Sequence, residues 1–423
     1  MTYLFSQFLA LLKGKKALLK MTSSSYLQVP VSLVVAFVTY RVIDPYFMGI
    51  WATIAMFEVY ANVMRLGIVN GMNREFPHAL GSGNLNLAKK YAQTTLSINI
   101  WGIVILWIIS PILVSQYELS TDYLICFGVG LIRVSLSQYT TYLSGTFRTS
   151  DNFNHLANIQ YFNLALNIIL IPCIYFYGFY GYLFMQLVLT IANSLLLHRY
   201  RPIKVKPKFD KDVFVTLFKT GFPLFLVSYI LSFIDTLPRL FILYFGNETL
   251  LGLYAPVIMI ISTLGILPNS LGTYFYPKLS FEYGKNSDPI QIWQKIKKIY
   301  LISLISIIPF VFIGYLLLDY VILFFPKYQQ SLPYMKTAIF VGPFVLVKLG
   351  NLINIILKKY SFMTTYVLIY GVAQIISLCT LFYIFSDDIL MVSTLSAIFV
   401  SASMFIVNYY LNRKVAFLSK NGM

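Results

Sequence analysis

Seven charged side chains lie inside otherwise apolar stretches: the bases Arg65, Arg133, Arg239, Lys336 and Lys348, and the acids Glu58 and Asp235. If those stretches cross a bilayer, a charge near its centre costs about 2.5–3.5 kcal/mol to place there. Such side chains belong in a wet interior rather than against lipid. Five bases against two acids make that interior cationic, which favours an anionic cargo. The planar fork of arginine binds phosphate oxygens in pairs. Arg133 and Lys348 lie deepest and each heads a polar stripe. With Arg65, Arg239 and Asn351 they are the expected contacts to a diphosphate or a sugar. Glu58 and Asp235 either couple the cycle to H+ or Na+ or simply neutralise Arg65 and Arg239. Asp235 and Arg239 are spaced i, i+4, as an intrahelical ion pair requires. Lys336, near a helix end, has the position of a snorkelling lysine.

Helical spacing gathers further polar residues beside these charges. At 100° per residue, Glu58, Asn62 and Arg65 share one face. Arg133, Ser137, Thr140, Ser144 and Arg148 make a second stripe, and Gln160, Asn163 and Asn167 a third. Gln186, Thr190 and Asn193 make a fourth; Lys348, Asn351, Asn354 and Lys358 a fifth. Amphipathic spans of this kind line water-filled interiors, although amides and hydroxyls also join helices to one another. Amides and hydroxyls suit sugar hydroxyls. A cargo that combines sugars, phosphate and lipid is an oligosaccharide on a polyprenyl diphosphate.

The elements that carry these stripes follow from composition. Of 423 residues, 58% are hydrophobic and only 11% charged. A soluble enzyme, a disordered tail and a coiled coil are excluded. Long apolar runs, rather than ten-residue alternating segments, exclude a barrel. The expectation is an all-α polytopic membrane protein with twelve transmembrane helices. They run roughly over 21–43, 46–69, 91–114, 123–147, 156–177, 179–198, 217–245, 249–276, 299–318, 333–357, 364–385 and 388–411. The tightest junctions are Ile43-Asp44-Pro45, Tyr177-Gly178-Phe179 and Ser386-Asp387-Asp388, all with turn chemistry. No cleavable signal is expected, because the basic start through Lys20 leads straight into the first span.

Charge placement orients the chain. With the N-terminus cytoplasmic, the inside segments hold 25 of the 32 basic residues, and the outside connections hold only Arg41 and Lys327. That asymmetry is the positive-inside pattern. It places both termini in the cytoplasm and accounts for most of the +17 net charge without nucleic acid. A multi-pass protein of a bacterial cytoplasmic (inner) membrane is expected. Cys126, Cys173 and Cys379 are dispersed in apolar runs and form no disulfide or zinc framework. His78, His155 and His198 are scattered and suggest no triad or metal site.

The chain also looks duplicated. Residues 49–56 read GIWATIAM and residues 252–259 read GLYAPVIM, and Gly81 and Gly284 fall at the same offset. The expected domains are an N-terminal six-helix bundle over 1–198, a basic cytoplasmic linker over 199–216 and a C-terminal six-helix bundle over 217–423. Two such halves suit a transporter that rocks between two states.

Four segments carry a family resemblance. The first is Met64-Arg65-Leu66-Gly67-Ile68-Val69-Asn70-Gly71, continuing to Arg74-Glu75-Phe76-Pro77 and Gly81. Then come Thr220-Gly221-Phe222-Pro223, and Ile234-Asp235 with Gly246 and Leu251-Gly252-Leu253-Tyr254. The last is Tyr276-Pro277-Lys278-Leu279-Ser280. In order and spacing they resemble the Wzx-type polysaccharide flippases of the MOP (MATE-like) superfamily. Members often place a basic residue directly after the helix 7 aspartate, whereas here Thr236 follows Asp235 and Arg239 comes later. The resemblance implies two six-helix bundles around a MATE-like V-shaped cavity. It implies translocation of undecaprenyl-diphosphate-linked oligosaccharide units by alternating access, for O-antigen, capsule or exopolysaccharide assembly. Its implied partners are that lipid-linked oligosaccharide, membrane lipids, and the polymerase and chain-length proteins of a glycan pathway.

No cofactor is expected beyond H+ or Na+ coupling, and no G-x-x-x-x-G-K-[ST] motif offers an ATP site. An ion-coupled multidrug antiporter of the MATE type shares the fold, but a cation exporter needs excess carboxylates. A membrane polymerase or glycosyltransferase would need larger loops than this chain has. The protein is expected to be a transporter and not an enzyme.

Overall fold

The computed structural model describes residues 20, 23–24, 27–150, 152–286, 288–357 and 359–420. It describes their side chains except at 267, 270, 273–274, 277–278, 281, 284–286, 348, 360 and 420. The basic residues Lys13, Lys15, Lys16 and Lys358 lie outside the described residues, as do the side chains of Gly284's neighbour Lys285 and of Lys348.

The described residues form helices joined by loops, with no strand among them. Eight helices are long and apolar enough to cross a membrane by themselves, and two shorter apolar helices, Leu27–Val42 (α1) and Glu248–Leu264, join them. One of the eight, Phe153–Arg199 (α6), is folded back at Gly178 and makes two passes. Thr121–Thr149 (α5) is not among the eight; the polar stripe that includes Arg133 dilutes its hydropathy. Together these make the twelve expected passes among the described residues.

Local chemistry sets the junctions. Asp44 accepts a hydrogen bond from the Tyr46 N–H at 3.0 Å and so opens Pro45–Ala61 (α2), with proline at its favoured first position. Asn84 caps Leu85–Val114 (α4) through the Leu87 N–H, and Ser120 caps α5 through the Tyr123 N–H. Gly178 takes φ 57°, ψ −129°, a conformation that glycine adopts at little cost. The two limbs of α6 are then so close that a Cβ on Gly181 would collide with the Cys173 carbonyl. At the last junction Asp388 accepts from the Met391 N–H at 3.0 Å at the start of Ile389–Lys420 (α17).

The second pass departs from the expected single helix over 46–69. Its α-helix stops at Ala61, a 3-10 turn covers Asn62–Arg65, and Leu66 (φ 47°) and Gly67 (φ 73°) are both left-handed. Ile68–Gly81 (α3) then restarts. Close backbone packing explains the break. A Cβ on Gly67 would come within 2.8 Å of the Gly221 and Phe222 backbone, and one on Gly71 would strike Leu217. Gly221 and Leu217 lie on Lys211–Ile234 (α7). The first two segments of the resemblance are therefore a glycine-lined crossing of α3 and α7. Along α7, Phe214, Phe218, Phe222, Phe225 and Tyr229 form a continuous ring stack, with centroids 4.6–6.3 Å apart.

The chain divides into two compact units. The first comprises Met1–Ile43 and Ile54–Tyr229, the second Asp44–Thr53 and Ile230–Met423. The start of α2 thus belongs to the second unit. There it meets Glu248–Leu253 (α9): a Cβ on Gly49 would strike the Glu248 carbonyl, and one on Gly252 would strike that of Pro45. These glycines open the two duplicated octapeptides.

The remaining helices are Leu237–Phe245 (α8), Ala255–Leu264 (α10), Ile266–Asn286 (α11), Pro289–Val321 (α12), Leu332–Ala338 (α13), Gly342–Val345 (α14), Val347–Ile356 (α15) and Tyr360–Ile384 (α16). The broken pass over Pro326–Ile356 is the buried centre of the second unit. Its last part, α15, packs on α17, α11 and α12.

Candidate functional site

Four of the five polar stripes converge within the first unit. A cleft of about 280 Å³ is lined by Glu58 from α2 and by Arg133, Ser137 and Thr140 from α5. The first limb of α6 adds Asn163 and Asn167, and the second limb adds Leu189, Thr190 and Asn193. The reversal at Gly178 is what sets the last two groups side by side. The Asn163 amide donates to the Asn193 carbonyl oxygen across the hairpin at 2.8 Å.

Arg133 is the charged centre of this cleft. Its Nε lies 3.2 Å from Glu58 Oε2, and the two side chains are 28% and 24% exposed. A second guanidinium N–H donates to Gln186 Oε1 at 3.0 Å. Half-buried and in contact with the cleft, the pair is neither fully solvated nor sealed from a ligand.

Arg65 behaves differently from its helical-wheel position. Its Nε donates to Gln138 Oε1 at 2.5 Å, and a terminal nitrogen donates to the carbonyl and hydroxyl oxygens of Ser137 at 3.3 and 3.4 Å. Gln138 in turn donates to the Ala61 carbonyl. The cause is the break after Ala61: the tighter 3-10 turn rotates Arg65 out of register with Glu58 and onto α5. Glu58 instead spans to Arg133. Arg65 therefore stands behind the wall of the cleft, holding Ser137. Gln138, off the expected stripe by one position, was not among the residues singled out from sequence.

A smaller cleft of about 190 Å³ adjoins the first through the shared residues Asn163 and Asn167. Its other wall carries Ser24, Gln28 and Ser32 at i, i+4, i+8, a polar stripe that the charged residues of the sequence do not mark.

The second unit holds the other expected site residues apart from this cleft. Asp235 sits in the break between α7 and α8, where its carboxylate accepts from the Tyr370 hydroxyl of α16 at 2.8 Å. Arg239 lies in the first turn of α8. Lys348 opens α15, and its side chain lies outside the described residues. Asn351 accepts from the Asn408 amide at 2.7 Å. Asn408 also accepts from Asn412 and from the Tyr300 hydroxyl, and Asn354 donates to Asn412 at 2.8 Å. Asn351 thus stands in a polar ladder that ties α15 to α17. Lys336 bridges to Asp319 at 2.7 Å and lies over the Tyr315 ring.

No family model matches the sequence, and no curated protein matches it. Among solved structures, the chain has the fold of MATE transporters of the MOP superfamily. It is similar to a multidrug resistance MATE family transporter described in an inward-facing conformation. The TM-score is 0.76 and the identity 12%, over 93% of this chain and 96% of that one. An outward-facing conformation of such a transporter matches with TM-score 0.63 at 14% identity, over 96% and 97%. A MOP superfamily transporter from Pyrococcus furiosus, described as having a binding pocket of reverse polarity that suggests a different function, matches with TM-score 0.65 at 15% identity, over 96% and 97%. The particular likeness is thus one of architecture: an all-α, MATE-like polytopic membrane protein.

Proposed function

We propose that the protein is a transporter working by alternating access, and that its cargo is an oligosaccharide linked to undecaprenyl diphosphate. It acts as a flippase of the Wzx type in a bacterial inner membrane, with both termini cytoplasmic. The observation that carries this reading is the lining of the larger cleft: one guanidinium among amides and hydroxyls, with Glu58, its carboxylate, engaged by Arg133. Such a surface meets a diphosphate through the arginine and sugar hydroxyls through Ser137, Thr140, Asn167, Thr190 and Asn193. An entering diphosphate exchanges for Glu58 at Arg133, and the released carboxylate is then placed to take up a proton or Na+. The fold alone does not assign a cargo, as the reverse-polarity relative illustrates. Among the described residues, the one base and one acid that line the cleft are paired with each other, so it carries no net charge where the sequence led to a cationic interior; a drug-cation antiporter would present an uncommitted carboxylate in this position.

The test is reconstitution of the full chain in proteoliposomes. A fluorescent undecaprenyl-diphosphate oligosaccharide in one leaflet should become accessible to a quencher on the other side. Ethidium efflux is measured in parallel. Movement of ethidium with no movement of the glycolipid replaces this reading with the antiporter.

A further inference from the structure

The smaller cleft of the first unit has a chemistry of its own. Its polar lining is Ser24, Gln28 and Ser32 on one side and Gln160, Asn163 and Asn167 on the other. Among the described residues, no charged side chain lines it. Val31 and Leu164 supply its apolar surface. Asn163 is the residue that points to a ligand. Its amide nitrogen is used by Asn193, while its Oδ1 is buried with no hydrogen-bond partner among the described residues. A buried acceptor left unpaired costs about 1–3 kcal/mol; Oδ1 is closed off as the side chain stands, and a ligand's donor meets it once the Asn163 side chain turns toward the cleft.

Several ligand classes fail here. A phosphate or a carboxylate carries acceptors, finds no cation to offset its desolvation and leaves Asn163 unsatisfied. An acyl chain satisfies none of the six polar groups. Ser24 already donates to Gln160 Oε1; a neutral sugar ring matches the rest of the polar lining, because each hydroxyl both donates and accepts and the ring's C–H face fits Val31 and Leu164. The volume of about 190 Å³ suits one ring rather than a chain. The shared Asn163 and Asn167 make the two clefts adjoining rooms of one site.

We infer that the smaller cleft is a subsite for one uncharged sugar ring, next to the room in which Arg133 meets the diphosphate. This rests on the flippase reading and deepens it: the carrier discriminates for a neutral residue near the diphosphate and against an acidic one.

The experiment uses the full-length protein in nanodiscs and three probes. They are bare undecaprenyl diphosphate, the same lipid bearing a neutral N-acetylhexosamine, and the same lipid bearing a hexuronic acid. The neutral glycolipid should bind about tenfold tighter than the bare lipid, and the acidic one no tighter than the bare lipid. In Gln28→Leu/Gln160→Leu the ratio of neutral to bare affinity should fall to about one. Ser32→Ala, which disturbs packing less, should lower that ratio by about threefold. Equal binding of bare and neutral lipids overturns the subsite alone, as does an acidic glycolipid that binds as tightly as the neutral one. Absence of binding by all three lipids takes down the transport reading together with the subsite.

Discussion

The two units use the same side chain for opposite ends. In the first, Asn163, Asn167 and Asn193 border an open cleft. In the second, Asn351, Asn354, Asn408 and Asn412 pair with one another across α15 and α17. The difference lies in what stands beside them. Gly350 has no side chain, and a Cβ there would collide with Asn408, Asn412 and the Tyr300 hydroxyl. The helices close until the amides touch. Around Asn163 the partners are a guanidinium, hydroxyls and a hairpin limb, and space remains. A run of amides on one helical face can become a vestibule or a seam, and a single small residue decides between them.

Gly350→Leu gives the sharpest test of that contrast. Forcing α15 from α17 should cost about 3 kcal/mol through overpacking, read as a large drop in the thermal midpoint and in the folded fraction on size exclusion. Next, Asn412→Leu, which loses two bonds, should destabilise by about 1–2 kcal/mol, whereas Asn193→Leu, which loses one, should lower the midpoint less, by under about 1 kcal/mol, and slow transport. If both variants act on stability alone, the two regions are not different in kind. Arg133→Ala should lower glycolipid flipping by about tenfold, equivalent to about 1.4 kcal/mol, with membrane insertion intact; normal flipping removes the phosphate contact. The smallest effect belongs to Lys336→Ala. Its pair with Asp319 is partly solvated and should contribute less than about 1 kcal/mol, with no change in transport rate.

Much of this was legible in the sequence. The turn chemistry at Asp44-Pro45, Gly178 and Asp388 marks helix junctions of the structure, and the stripes on α5 and α6 do face a common cleft. What escaped has two causes, the first being that a helical wheel presupposes an unbroken helix. The wheel puts Glu58 and Arg65 on one face, but the 3-10 turn after Ala61 turns Arg65 onto Gln138 and Ser137, and the ion pair of Glu58 is with Arg133. It also treated Asn351 like Asn163, because periodicity records which residues share a face and not how near the next helix comes. The glycines of the resemblance segments tell the complementary story. Gly67, Gly71, Gly221 and Gly252 are where backbones nearly touch, so those segments report architecture more directly than cargo.

The reversal at Gly178 also has a bearing on handedness across the membrane. Phe153–Arg199 spans 47 residues, which as one straight rod would reach about 70 Å at 1.5 Å per residue, over twice the apolar thickness of a bilayer. The lipid therefore rejects the straight form, and one residue without a side chain supplies the hinge. Were that hinge lost, an even tally of crossings would become odd, and every loop after it would be delivered to the wrong face of the membrane.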